Sequence, residues 1–260
     1  MTAPAADDAL RVYWQPGCTS CLRTKEFLTR RSVPFLSRNV LADDGAYEEL
    51  ARFGLRQVPI VTRGDRWVNG QVLKDVAELA GITYGAPIQH PPAELHRRLL
   101  RVVDGAARFL GQIPEAQLAT MLPGRPRSLL QLGYHLFNVA DAFLEHEDGI
   151  PLTFASYCRE PEPGTMSKSE LLAYGRGVRE RLAAWWSGPG QSADWSRRAD
   201  VYYGEQTLHE FLERTTWHAG QHTRQLMWMM SETLALAPAH PLGIETFGDL
   251  PMPESVWDPA

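Results

Sequence analysis

The chain has 260 residues and only three cysteines, Cys18, Cys21 and Cys158. So few exclude an extracellular scaffold stapled by disulfides, and a close CxxC pair is then catalytic or metal-binding more often than structural. No stretch approaches 18 uninterrupted apolar residues, so no transmembrane helix and no membrane contact are expected. Positive charge is not in excess. Lys and Arg number 26 against 31 Asp and Glu, for a net charge of −5. Without a polybasic footprint, nucleic acid is not an expected partner. Internal repeats and low-complexity runs are absent. The opening "MTAPAADDAL" carries acids where a signal peptide needs a basic and then an apolar run, which points to the cytoplasm. What is present is ordinary for a globular protein: 44% hydrophobic and 22% charged residues, in a length that accommodates two domains.

Two halves differ in their patterning. Residues 1–9 read as a flexible tail. Residues 10–82 alternate short apolar runs with helical stretches. "LRVYW" (10–14) is rich in β-formers and reads as a strand, Thr19 to Arg31 as a helix, and "VPFLSRNV" (33–40) as a second strand. Asp43 to Phe53 reads as a helix ended by Gly54. "VPIVTRGDRWVNG" (58–70) reads as a hairpin around Gly64 and Asp65, and Val72 to Ala80 as a last helix. Residues 83–92 form a Pro-rich linker. In 93–260 strand signals nearly vanish. Ala93–Leu110, Ser128–Glu147, Ser167–Trp186 and Gln206–Leu234 carry apolar residues at helical spacing, which suggests a four-helix bundle. The proline-rich residues after 240 read as an extended C-terminal strap.

The pair in "WQPGCTSC" sits where the first strand gives way to the first helix. Three readings compete: a redox dithiol, half of a metal site, or two ordinary small residues. A structural zinc would want four ligands, and no second CxxC exists. Cys18 stands at the predicted helix N-terminus, where unpaired N–H groups and the helix dipole favour a thiolate. Cys21, one turn on, is placed to resolve a mixed disulfide. Taken with "QVPIV" and "GDRWVNG" in the same order, these residues resemble the glutaredoxin family, within the thioredoxin fold. The resemblance implies that Cys18 and Cys21 are catalytic and that Pro59 is cis and faces Cys18. It also implies a thiol-binding site at Gln15, Val58 and Pro59, with the Val58 backbone pairing with the thiol ligand. Gln15 stands where the family often has lysine, Thr19-Ser20 replaces its Pro-Tyr, and Asn69-Gly70-Gln71 follows the last strand.

All eight histidines lie beyond residue 89. "TTWHAGQHTRQL" places His218 and His222 at i and i+4, on one helix face and within reach of one ion. His135, in "QLGYHLFNVADAF", falls on the apolar stripe of Leu132, Val139 and Phe143. A lone inward histidine is usually a core residue satisfied by a hydrogen bond. Three of them would be costly to bury separately, and a single divalent ion would satisfy them together. His135 with the H-x-x-x-H of His218 and His222 resembles the DinB-like family of four-helix metalloproteins. The resemblance implies that these three are metal ligands. It implies zinc as the commonest ion, with nickel or another divalent metal as alternatives. It also implies low-molecular-weight thiols such as glutathione or mycothiol as co-substrates. Tyr134, Asn138, Gln221 and Arg224 flank the three. Cys158 would be a further ligand if its loop folded over them. His146 is too far along its helix to share the ion, His209 is expected exposed on the opposite face, and His90, His96 and His240 are expected in linker or surface positions.

The expected fold is therefore an α/β thioredoxin/glutaredoxin domain followed by an all-α DinB-like four-helix bundle. The expected function is a metal- and thiol-dependent enzyme of the S-transferase or isomerase type, whose dithiol domain supplies, recycles or releases the thiol. Its partners would be a small-molecule thiol and an electrophilic or disulfide substrate, and a homodimer is allowed. The alternative is a glutaredoxin-type disulfide oxidoreductase whose bundle serves docking or metal and redox sensing.

Overall fold

A computed structural model describes residues 8–258. The tail expected over 1–9 lies outside the described residues up to residue 7. Asp8 already accepts hydrogen bonds from Arg63 at 3.0 and 3.1 Å. The chain divides into two compact units. One holds Met1–Pro87, Pro123–Arg125 and Pro253–Ala260, and the other Ile88–Leu122 and Pro126–Met252.

The first unit is built on strands β1 (Arg11–Trp14), β2 (Leu36–Asn39), β3 (Ile60–Arg63) and β4 (Arg66–Asn69) in the order β2-β1-β3-β4. β2 runs parallel to β1, with Arg11 opposite Leu36. β3 runs antiparallel to β1 with Val12 opposite Val61, and β4 antiparallel to β3 with Val61 opposite Val68. Helices α1 (Thr19–Arg30), α2 (Asp44–Ala51) and α3 (Leu73–Ala80) complete it. Successive side chains of a strand point to opposite faces, and the core follows that period. Val12 and Val61 pack with Phe27 and Leu28 of α1 and Val76 and Leu79 of α3. Tyr13 and Ile60 pack with Val40, Ala46 and Leu50 on the α2 side. β2 is shorter than the 33–40 run in the sequence, because Pro34 has no N–H to give to a ladder and pairing begins only where Leu36 N–H reaches Leu10 O.

The second unit contains α4 (Pro92–Gln112), α5 (Leu129–Glu147), the short α6 (Phe154–Tyr157), α7 (Lys168–Ser187), α8 (Leu208–Trp228) and the short α9 (Ile244–Phe247). α7 and α8 each pack against both α4 and α5, which makes a four-helix core. α5, α7 and α8 each begin with a capping box, on Ser128/Gln131, Ser167/Glu170 and Thr207/Glu210, so their starts are written locally. Two details depart from the expectation. Gln206–Thr207 pairs with Arg198–Ala199 in a two-residue ribbon, so α8 begins at Leu208. Its far end leaves α geometry at Met229 in a single π turn running to Thr233. No helix among the described residues is long and apolar enough to cross a membrane.

The C-terminal strap also divides differently. It was expected to belong wholly to the second domain, but from Pro253 onward it falls in the first unit. The polar contacts of 253–258 with α1 account for this. Glu26 of α1 accepts from Glu254 and Ser255 N–H at 2.8 and 3.0 Å.

Candidate dithiol and metal sites

β1 delivers the chain to Pro16 and Gly17, and Cys18 is the N-cap of α1. Its sulfur accepts the Cys21 N–H at 3.2 Å, the bond that a thiolate at a helix start would strengthen. The two cysteines form a disulfide with Cα atoms 5.2 Å apart. Cys18 is half-buried, whereas Cys21 has no exposed surface. An incoming sulfur atom therefore has access to Cys18 and none to Cys21. Gln15 meets this turn through its main chain, its carbonyl accepting the Cys18 N–H at 3.4 Å.

The Val58–Pro59 peptide is cis. Pro59 reaches α1 through Gly70. Gly70 N–H donates to Pro59 O at 2.9 Å, and a Cβ on Gly70 would lie 2.8 Å from the Pro59 ring and 3.2 Å from Thr24 Oγ1. Only glycine allows that approach. Thr24 Oγ1 lies 2.7 Å from Gly70 O and 2.9 Å from Ser20 O, tying the end of β4 to the first turns of α1.

In the second unit His135 of α5 meets His218 and His222 of α8. One ligand nitrogen from each lies within 4.8 Å of the others, and all three residues are buried. The Nε2 atoms of His218 and His222 are 3.1 Å apart. Gln225 Oε1, which can only accept, takes the His222 Nδ1–H at 2.8 Å and leaves the His222 Nε2 lone pair for a ligand. Burial holds the His218 pKa well below its ordinary value, with His222, Arg214, His135 and Arg127 adding to the effect, so its ring is neutral. Neutral imidazole is the ligand form, and three such donors are the number a protein commonly gives to a divalent ion that keeps one position for another ligand. The donor set fits a borderline divalent ion.

Residues beyond those three complete the surroundings. Asn138, which flanks His135 in sequence, is fully buried and donates to Ser156 O and Tyr157 O, both at 3.0 Å. That anchors the loop so that Tyr157 stands edge-on to His135 and His218, at 5.6 and 5.4 Å between ring centroids. The loop does fold over the histidines, but with Tyr157. Cys158 is exposed and outside the ligand group. Arg214, one turn before His218, lies 4.6 Å from the Tyr157 ring centre and 4.3 Å from that of Tyr203. Burial pushes both phenols well above their ordinary pKa. Gln221 accepts from Arg224 at 2.8 Å, and Tyr134 stacks on Tyr174 at 5.0 Å.

Sequence reading missed Gln225, Tyr157, Tyr203 and Arg214. Arg214 was within its reach, because it continues the i, i+4 series through His218 and His222. Tyr157 and Tyr203 sit outside the long helices and carry no periodic signal. His146 accepts Asp200 N–H at 3.0 Å through Nε2 and takes no part. Two positions differ from expectation. His96 is buried in α4, stacked on Trp186 at 4.6 Å with Nε2 3.1 Å from Leu182 O, because its side of α4 packs on α7. His209 is half-buried, with Nε2 2.7 Å from His90 O.

Comparison with known families agrees with both halves. Residues 10–68 match the Glutaredoxin family model, and residues 96–226 match the model of the DinB superfamily. No curated protein matches the chain.

Proposed function

Because the chain belongs to the DinB superfamily through its helical unit and carries a glutaredoxin domain ahead of it, we propose that it is a metal-dependent enzyme using a low-molecular-weight thiol. The reaction type is S-transfer or isomerisation, and the dithiol domain supplies, recycles or releases the thiol. The observation that carries this reading is the gathering of three buried imidazoles from two helices within 4.8 Å. His135, His218 and His222 would hold a divalent ion, zinc first and nickel as the alternative. When bound, such an ion supplies Lewis acidity that lowers the pKa of a coordinated thiol or water. Gln225 fixes the His222 tautomer. Tyr157 packs edge-on against His135 and His218, and the Arg214 charge beside His218 favours an anionic ligand such as a thiolate or a carboxylate-bearing substrate.

At the dithiol, the Cys18 thiolate attacks a mixed disulfide and releases one thiolate, forming a Cys18–ligand disulfide. The Cys21 thiolate then attacks the Cys18 sulfur, releases the second thiolate and leaves the Cys18–Cys21 disulfide. A cytoplasmic reductant pool would return the pair to the dithiol. Holding both centres in one chain raises the effective concentration of each for the other.

The test is metal analysis of the purified protein and of His135→Ala, together with thiol-dependent turnover of small electrophiles. Absence of stoichiometric metal, or full activity in His135→Ala, sinks the reading. A second reading, a disulfide oxidoreductase with the bundle as a docking or sensing module, draws on the accessible Cys18 backed by buried Cys21. It requires that Cys18→Ser abolish all activity while metal removal changes nothing.

A further inference from the structure

Within the first unit two donors beside the dithiol converge on one carboxylate. Gly17, the residue before Cys18, donates its N–H to Asp258 Oδ2 at 3.3 Å. Lys25, two turns along α1, forms an ion pair with Asp258 Oδ1. The Asp258 side chain is only 8% exposed and that of Lys25 14%. Lys25 also lies over the Trp14 ring at 3.2 Å, which holds its charge on this side of the helix. Next to Asp258, Trp257 covers Gly17 so closely that a Cβ there would come within 3.0 Å of the indole, and Gly17 itself is at φ +67. Any other residue would lose both the turn and the cover.

The start of the segment also meets α1, in part through exposed groups. Glu26 accepts from Glu254 and Ser255 N–H, and Glu254 pairs with Arg30 at 2.9 Å, with the two side chains 77% and 46% exposed. Exposed pairs of this kind contribute little and are screened by salt. At its Asp258 end the fastening is a carboxylate in a cationic setting.

We propose that Gly17 N–H and Lys25 form an anion-binding spot of the dithiol site. It would take the carboxylate of a small thiol or of its mixed disulfide, with Asp258 as a built-in competitor for it. Segment 253–258 then sets how readily anionic ligands approach Cys18. The exchange is of one carboxylate for another and breaks no covalent bond. The inference rests on reading Cys18 as the nucleophile.

The experiment uses the full-length chain in a Cys21→Ser background. The rate of Cys18 alkylation, identified by peptide mass, is measured with iodoacetate and with neutral iodoacetamide. In Asp258→Asn the iodoacetate rate should rise relative to the iodoacetamide rate by about fivefold, the scale of one partly screened charge a few ångströms away. Asp258→Glu should keep the wild-type ratio, and adding Lys25→Gln to Asp258→Asn should cancel the gain. Deletion of residues 253–260 should reproduce the gain and serves where the point variant fails to fold. An unchanged ratio in both Asp258→Asn and the deletion overturns the proposal while leaving Cys18 as nucleophile. If Cys18 reacts with iodoacetamide no faster than exposed Cys158, the nucleophile reading falls, and the proposal with it.

Discussion

On α8 the Nε2 atoms of His218 and His222 face each other at 3.1 Å. With His218 held neutral and the His222 proton committed to Gln225, the arrangement leaves lone-pair density pointing inward next to His135. Replacing His218 or His222 by alanine should therefore remove stoichiometric metal. The loss of affinity should exceed the roughly 10–100-fold that outer-shell changes cost. His146→Ala should leave metal content unchanged, because that ring serves Asp200 N–H. Elemental analysis after dialysis against a chelator checks both.

Gln225→Leu keeps the volume but removes the acceptor for His222 Nδ1–H. The ring is then free to choose the tautomer that blocks Nε2. Zinc affinity should fall about 10–100-fold, with the fold intact by circular dichroism. An unchanged zinc titration would show that the tautomer is set elsewhere.

Two glycines of α7 separate packing from helix propensity. A Cβ at Gly175 would come within 3 Å of three Phe137 ring atoms, whereas one at Gly177 meets nothing within 4 Å. Gly175→Ala should destabilise by about 1–3 kcal/mol through overpacking. Gly177→Ala should stabilise by roughly 0.5–1 kcal/mol. Urea unfolding of the two variants should give opposite signs.

Glu94, in the first turn of α4, is held down to a pKa of about 2, chiefly by its hydrogen bond from Arg97 and then by that from Arg98. Its folded pKa lies below the ordinary 4.5, so it contributes stability above that pH. The contribution should disappear as pH falls from about 4.5 through 2. The melting temperatures of wild type and Glu94→Gln should differ by a few degrees at neutral pH and converge near pH 2.

The parts legible in the sequence were those with a local cause. The capping pair Ser167 and Glu170 announces its helix within four positions, whereas the sequence pattern starts α8 at Gln206, ahead of its cap Thr207. The i, i+4 spacing of His218 and His222 puts two donors on one face without any tertiary knowledge. That His135 meets them depends on α5 packing against α8, which its place on the apolar stripe already implied. Tyr157 was hidden for the opposite reason: its position follows from Asn138 binding two carbonyls of a loop that has no periodicity of its own. Asp258 was hidden likewise. Its partners Gly17 and Lys25 lie far away in sequence, and an extended proline-rich segment leaves no pattern that says where it docks.

The contacts of Gly17 with Asp258 and of Glu26 with Glu254 and Ser255 span 241, 228 and 229 residues. During synthesis α1 leaves the ribosome long before these partners exist. The sheet and α1 can assemble early, and the loop before Cys18 can gain Arg125, which donates to Gly17 O at 3.2 Å, long before Asp258 and Trp257 have been translated. A nascent chain would thus carry Gly17 N–H and Lys25 without their carboxylate for most of its synthesis, and Asp258 would reach them only after the helical unit.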